Sequence, residues 1–291
     1  MEDTLFIVDT MYLIFRSFYA FGGRQNLTAP DGTPTGAVYG LANSLRSFRH
    51  GLKMKYCLCA FESAVPVFRH EISEIYKANR KETDPGLKVQ IPIAIEMCQR
   101  LGYKTASVDG YEADDVIATV AAQALRQGWK VRIISKDKDL AQLLALEGDI
   151  AIIMPSTNFA KNDHYVDANN CKEHYGVPPE LIADWLALMG DSSDNIIGVK
   201  GIGEKTAAKL LNSCGCLDNL VAQASKAGRF SQAIVDYKEQ LAENKRLTTV
   251  CMDVPLPWPV ESLETFGISQ PKAEDVPFFV KLGLNLPKLI S

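Results

Sequence analysis

A mostly parallel central β-sheet flanked by helices, in an α/β fold, is what the sequence predicts, and three observations predict it. Five short runs rich in Val, Ile and Leu lie between residues 4 and 154. Stretches of helical period, such as Asp114–Gln127, separate several of them. An acid stands at or soon after the end of four of the five runs, on the edge where open α/β sheets gather their ligands.

The runs are Thr4–Val8, Tyr56–Phe61, Lys104–Val108, Lys130–Ser135 and Ile150–Met154. Their length and near-continuous apolar character suit strands buried on both faces. Asp9 and Glu62 follow the first two directly, Glu112 follows the third by a short turn, and Asp137 follows the fourth. Residues from about Ile75 to Gln99 break the alternation and carry Lys77, Arg80, Lys81 and Lys88 around an Asp84-Pro85-Gly86 turn signal. A basic insertion at this edge could form a lid, although the segment read alone better suits a solvated surface helix and loop. Past Pro178-Pro179, which suit a helix start, Glu180–Gly190 has an amphipathic period. Gly198-Val199-Lys200-Gly201-Ile202-Gly203 then precedes a helix from Glu204 to about Leu211, a helix–hairpin–helix pattern. Its Gly-rich turn can bring backbone N–H groups at a helix start close to a phosphate, although Gly-x-Gly alone also fits a plain tight turn. From Leu217 to Ser291 the pattern is helical, then Pro-rich at Pro255, Pro257 and Pro259, without a chemical signal. The expected division is an α/β core at 1–175, with the insertion at about 75–99, and a helix–hairpin–helix subdomain with C-terminal helices at 176–291.

Composition excludes several classes. An apolar share of 47% with 23% charged residues is ordinary for a soluble globular protein. No apolar run approaches the ~20 residues that cross a bilayer. The start Met1-Glu2-Asp3-Thr4 has no basic leader, so a cytoplasmic, nucleoid-associated location is expected. Seven cysteines form an odd set without a C-x-x-C pair, which suggests neither a zinc ribbon nor a disulfide frame. His50, His70, His164 and His174 lack metal-motif spacing and are not expected to be ligands.

Nine carboxylates fall in five clusters: Asp9; Glu62; Glu112, Asp114 and Asp115; Asp137 and Asp139; Asp191 and Asp194. The chain has 31 Lys and Arg against 35 Asp and Glu; setting the nine aside leaves 26 acids, a mildly basic body around one acidic hole. Taken singly, Asp114 and Asp115 could cap the following helix, as could Asp137 and Asp139. Capping does not explain why so many strand ends carry acids. Carboxylates gathered so densely need cations between them, and an all-oxygen donor set favours hard ions such as Mg²⁺ or Mn²⁺.

These residues also resemble a family, the bacterial and phage 5′ nucleases, which include the N-terminal domain of DNA polymerase I and are related to flap endonucleases. The resemblance runs through Phe6-Ile-Val-Asp9, Phe68-Arg-His-Glu71, Tyr76-Lys-Ala-Asn-Arg80, Gly110-Tyr-Glu-Ala-Asp-Asp115, Ser135-Lys-Asp-Lys-Asp-Leu140, Gly190-Asp-Ser-Ser-Asp-Asn195 and Gly198-Val-Lys-Gly-Ile-Gly-Glu-Lys-Thr-Ala207. These segments span most of the chain in the family's order. The resemblance implies a PIN-like core, a helical arch and two divalent ions. One ion would be held by Asp9, Glu62, Glu112 and Asp114. The second would be held by Asp114, Asp137, Asp139 and Asp194, with Asp115 and Asp191 joining through water or at a third position. It implies that Lys77 and Arg80 face the scissile phosphate, that Phe15 and Tyr76 offer stacking surfaces to unpaired bases, and that Arg16 touches the backbone. It implies a duplex anchor at Gly201 and Gly203, with Lys205 and Lys209 behind and a K⁺ ion held by turn carbonyls. Glu62 departs from the family's usual Asp and could displace the first ion. Ile197 replaces a common Pro, which should loosen the turn.

The implied activity is a stand-alone 5′→3′ exonuclease and 5′-flap endonuclease of replication and repair. Its implied substrates are DNA 5′ ends, flaps and nicks, with RNA primers as candidate substrates; a monomer is expected, with a DNA polymerase as functional partner. The rivals are a separated nuclease fragment of DNA polymerase I and a DNA-structure-binding protein whose first ion site Glu62 has spoiled. A small acidic-cluster ribonuclease would lack the hairpin and arch segments.

Overall fold

The fold is described from a computed structural model that covers residues 3–21, 27–156 and 164–290. Met1 and Glu2 lie outside the described residues. A six-stranded sheet is built from β1 (Thr4–Asp9), β2 (Tyr56–Ala60), β3 (Lys104–Ala106), β4 (Lys130–Ile134), β5 (Ile150–Met154) and β6 (His164–Val166), in the order β3-β2-β1-β4-β5-β6. All neighbours pair in parallel except β5 with β6. The five expected strands are present, with ends shifted by no more than two residues. β6 was not expected, and at three residues it carries too little pattern to be read.

Alternation along the strands divides the core. Leu5, Ile7, Leu58, Ala60, Val131, Ile133 and Ile152 face one apolar cluster, whereas Phe6, Val8, Cys57, Cys59, Ile134 and Ile153 face another. Successive side chains of a strand point to opposite faces, so continuous apolar runs require cover on both. The second face is covered by α1 (Thr10–Phe21), α2 (Gly36–Gly51) and, after the short α3 (Arg69–Ile72), by α4 (Pro85–Arg100). The first face is covered by α5 (Ala113–Arg126). α4 corrects the expected insertion: Leu87, Ala94, Met97 and Cys98 are buried in the second cluster, so 85–100 is a core helix and only the irregular stretch at 73–84 remains at the edge.

The chain continues through α6 (Cys171–Tyr175), α7 (Ile182–Met189), the two-residue strands β7 (Gly190–Asp191) and β8 (Ile196–Ile197), and α8 (Glu204–Cys214). α9 (Leu217–Ala222), α10 (Ser231–Asp236), α11 (Lys238–Thr248), α12 (Val276–Lys281) and α13 (Leu286–Ile290) follow. Trp185, Leu186, Leu220, Ile234 and Leu241 join the cluster beneath α5, so the second half shares a core with the sheet. The tail then returns to the other face: the Ile268 and Ser269 N–H groups donate to the Lys55 and Gly102 carbonyls, and Phe279 and Leu286 enter the second cluster.

Candidate active site

Parallel strands place their carboxyl ends on one edge, and β1 sits where the chain order reverses, between β2 and β4. That is the crevice where such sheets bind ligands. Asp9 ends β1; its Oδ1 accepts the Tyr12 N–H at 3.0 Å and its Oδ2 accepts the Ser135 hydroxyl at 2.7 Å. The Ser135 oxygen in turn accepts the Asp137 N–H at 2.9 Å, and Asp137 Oδ1 accepts the Asp139 N–H at 3.0 Å. One hydroxyl thereby locks the ends of β1 and β4 together. Glu62 follows β2, and Glu112 and Asp114 stand at the start of α5. The Tyr76 hydroxyl lies 3.0 Å from Glu112 Oε2 and 2.8 Å from Asp194 Oδ2, which brings the β7–β8 hairpin onto the same group.

Mutual repulsion marks the cluster. Burial raises Asp9 to about 6, with Asp137 adding to it, and raises Glu62 to about 7, with Glu112 adding to it. Burial and then Asp137 push Asp114 and Asp139 well above the carboxylate range, and burial, Asp194 and Asp191 raise Asp137. Asp191 is the exception: although burial opposes it, the Ser193 hydroxyl and Lys138, 2.9 Å away, hold it low. Among the described residues no three acidic, imidazole or thiol side chains are already gathered as ligands around one point. Cationic side chains stand between them instead. Lys77 Nζ contacts Glu112 Oε1 and lies 3.7 Å from Asp194, and Arg80 donates to Asp194 Oδ1 at 2.6 Å. The all-oxygen donors, spread over several strand and helix ends and loaded by repulsion, fit hard divalent ions.

Two expected roles are corrected. Asp115 is fully buried, chelates the Arg69 guanidinium at 2.7 and 2.8 Å, and accepts the Glu112 and Cys251 N–H groups. Its acceptor sites are committed to the protein, so it does not face the cluster as a ligand. Tyr76 is 2% exposed with its hydroxyl on two carboxylates, which leaves no face for a stacked base. Phe15 is exposed on α1, and Arg16 donates to the Ser156 carbonyl at 2.7 Å. Lys77 and Arg80 reach the cluster through a clasp: the Lys77 N–H, Asn79 side chain and Arg80 Nε donate to the Asp194, Ser192 and Ser193 carbonyls. Residue reasoning assigns no role to Arg69, Ser135, Lys138 or Asn244, although Arg69, Ser135 and Lys138 stand inside quoted motifs.

The hairpin lies beside the cluster. An added Cβ at Gly198 would come within 2.1 Å of the Met189 carbonyl carbon, so only glycine lets the turn close on the end of α7. Gly201, at φ +85°, occupies the left-handed region, and Gly203 caps α8 with Lys205 and Lys209 exposed behind it. A groove of about 500 Å³ lined by Asn79, Lys138, Asp191, Ser192 and Gly203 joins the acids to this helix start. Ile197 does not loosen the turn: it pairs with Gly190, and its carbonyl accepts the Asn244 amide at 2.8 Å.

Comparison with known proteins decides the family. Residues 4–176 match the 5′-3′ exonuclease N-terminal resolvase-like domain, and residues 177–272 match the 5′-3′ exonuclease C-terminal SAM fold. The chain belongs to the 5′-3′ exonuclease family. This 5′ nuclease is 39% identical over 257 residues to thermostable DNA polymerase I of Thermus thermophilus, covering 88% of this chain and 30% of that protein. It is 34% identical over 283 residues to DNA polymerase I of Bacillus subtilis, covering 97% and 31%. The chain thus spans about 30% of the length of these curated relatives. Its fold is shared with the phage T5 D15 protein crystallised with metal ions, at a TM-score of 0.69 and 23% identity over 84% of this chain and 89% of that one. It is also shared with the T5 D15 flap endonuclease in complex with DNA and metal ions, at 0.66 and 23% over 99% and 96%.

Three outcomes follow for this chain. Asp9 and Glu62 hold protons in the folded state up to about 6 and 7, whereas their ordinary values are 3.8 and 4.5. The folded form binds more protons in that window, so stability is greatest below it and falls as pH rises through it; melting in a chelating buffer should show Tm decreasing from pH 5 to pH 8. Asp115→Asn should cost about 3–5 kcal/mol in urea denaturation, because it breaks a buried ion pair. Asp114→Asn should instead raise Tm in chelator by removing a repelled charge; a rise for Asp115→Asn would return it to the ligand group.

Proposed function

We propose that this chain is a divalent-metal-dependent nuclease that hydrolyses DNA phosphodiesters at 5′ ends, flaps and nicks, as a 5′→3′ exonuclease and flap endonuclease. The observation that carries this reading is the convergence of eight carboxylates from five separate stretches on the carboxyl edge of the sheet, in a groove that runs to the N-terminus of α8. The metal- and DNA-bound T5 relative supports the substrate class. Asp9, Glu62, Glu112 and Asp114 would hold one ion, and Asp114, Asp137, Asp139 and Asp194 a second, with Asp191 joining through water. Bound there, divalent ions lower the pKa of a water and neutralise the charge that develops on the phosphate.

The chain's own residues do the rest. Ser135 fixes the rotamer of Asp9 by donating to Oδ2, which leaves Oδ1 on the Tyr12 N–H and the carboxylate plane set. Lys77 and Arg80 supply positive charge at the edge where a phosphate arrives. The N-terminus of α8, backed by Lys205 and Lys209, offers N–H groups to a backbone phosphate without reaching a base edge. Phe15 presents an exposed ring for an unpaired base. K⁺ at the hairpin carbonyls, RNA-tailed substrates, monomeric action in the nucleoid and work beside a DNA polymerase, on this chain or another, belong to the same proposal. The test is cleavage of 5′-labelled flap, nicked, blunt and single-stranded DNA, with RNA-tailed versions, in Mg²⁺ and Mn²⁺. Binding of flaps without cutting in either metal would leave a DNA-structure-binding protein.

Asp114→Asn and Asp139→Asn should each lose cleavage by several orders of magnitude and still bind flap DNA in a gel-shift assay; near-normal Mg²⁺ turnover in either removes the two-ion assignment. Glu62→Asp should raise Mg²⁺ activity or narrow its gap to Mn²⁺ if the longer side chain displaces the first ion. Loss with both metals would show a backbone adapted to glutamate. Gly203 has open space around an added Cβ and extended backbone, so Gly203→Val should keep the fold while blocking the phosphate approach. Its affinity for nicked DNA should fall, and Lys205→Ala should lower the salt slope of log K by about one unit; unchanged values in both variants would place duplex binding elsewhere.

A further inference from the structure

α11 makes two buried polar anchorages within little more than one turn, and they reach opposite halves of the acidic cluster. Arg69, 2% exposed, donates Nε to the Leu247 carbonyl at 2.8 Å, Nη1 to Asp115 at 2.7 Å, and Nη2 to Asp115 at 2.8 Å and the Thr249 carbonyl at 3.0 Å, with Nη1 also 3.1 Å from Glu112 Oε2 as an ion pair. It thereby satisfies carbonyls at the C-terminus of α11 and fixes the start of α5, which carries Glu112 and Asp114. Asn244, 1% exposed, donates both amide protons, to the Ala187 carbonyl at 3.0 Å and the Ile197 carbonyl at 2.8 Å. Those carbonyls flank the loop that carries Asp191 and Asp194. Residues 244 and 247 are three apart on a helix, on one face and ~4.5 Å along the axis.

We propose that α11 is a strut that sets the spacing between the two halves of the carboxylate cluster, with Arg69 and Asn244 as its positioning residues. The proposal rests on the reading of the cluster as a two-ion site. Neither residue touches substrate. A planar guanidinium held by four hydrogen bonds to two backbone carbonyls and one carboxylate, with a second carboxylate alongside, has no rotational slack, and an amide with both protons shared between two backbone segments fixes their separation; a core needing only stability would be served by apolar packing.

The test compares Arg69→Lys, which keeps the charge and loses the bidentate fork, with Asn244→Ser and with Leu45→Ala. Leu45 is fully buried in the other apolar cluster, so its truncation destabilises without touching the strut. Mn²⁺ is titrated calorimetrically into each protein without DNA, well below its melting temperature, and the spin coupling between bound Mn²⁺ ions is read by electron paramagnetic resonance. Flap-DNA affinity is measured in chelator. The strut requires that wild type and Leu45→Ala bind two coupled ions. Arg69→Lys and Asn244→Ser should then keep one ion at wild-type affinity, bind the second at least tenfold more weakly with altered coupling, and retain DNA affinity within about twofold. Wild-type isotherms and coupling in both folded variants overturn the strut alone, as does a failure of both variants to fold, which would make the network purely structural. A wild-type protein that binds no Mn²⁺ overturns the two-ion reading and the strut with it.

Discussion

Carboxylates repel one another most where water is excluded: two unit charges 4 Å apart cost about 4 kcal/mol at an effective dielectric near 20. This molecule gathers eight at one sheet edge and bears the load in three ways. Asp9, Glu62, Asp114, Asp137 and Asp139 have a raised tendency to hold protons. Lys77, Arg80 and Lys138 insert positive charge, and Ser135 and Tyr76 donate hydroxyl protons. The third device is rigidity, since a set of repelling groups stays assembled only if the backbone beneath it cannot spread.

That rigidity comes from burial on both faces of the sheet. The same alternation that sends Leu5 and Ile7 to one side and Phe6 and Val8 to the other leaves β1 with no exposed face, so Asp9 cannot retreat from its neighbours without opening two cores. The C-terminal helices serve the same end. α13 returns to pack on α2 with α12 against it, while α11 grips both the start of α5 and the β7–β8 hairpin. The Gly-rich hairpin and the acidic edge are therefore parts of one packed body.

How much of this was legible in the sequence depended on how local each cause is. The parallel strands and α5 were legible because period and β-branching report burial within a few residues, and the acids at strand ends because parallel topology fixes where they go. The insertion at 75–99 reads as edge because α4 carries Lys88 and Pro92 on its exposed side, and only its packing on α2 shows that Leu87 and Met97 are core. Asp115 was misjudged because adjacent helical residues project ~100° apart: Asp114 turns to the acids and Asp115 to an arginine 46 residues away. The stacking role that the resemblance implies for Tyr76 fails because a motif carries a residue type without its surroundings, and here the hydroxyl sits on two carboxylates. Arg69 and Asn244 act through donated hydrogen bonds to partners 46 to 180 residues away in sequence, beyond any pattern a window can show.

The clasp between 75–80 and 192–195 joins these themes. Lys77 and Asn195 both sit at positive φ, +56° and +59°. Asparagine tolerates that region, whereas a lysine there is held at a cost of about 1–2 kcal/mol. The strain is offset by the Lys77 N–H on the Asp194 carbonyl and by the Asn195 amide on the Ile75 carbonyl at 2.7 Å, which lock the two segments across each other. The ammonium of Lys77 is thereby aimed at Glu112 rather than at solvent, and burial that would otherwise discourage its charge is outweighed by Glu112 and Asp194. A phosphate that engages Lys77 or Arg80 has to compete with those carboxylates, so these two cations become available to an anionic strand only to the extent that other positive charge takes their place in the cluster.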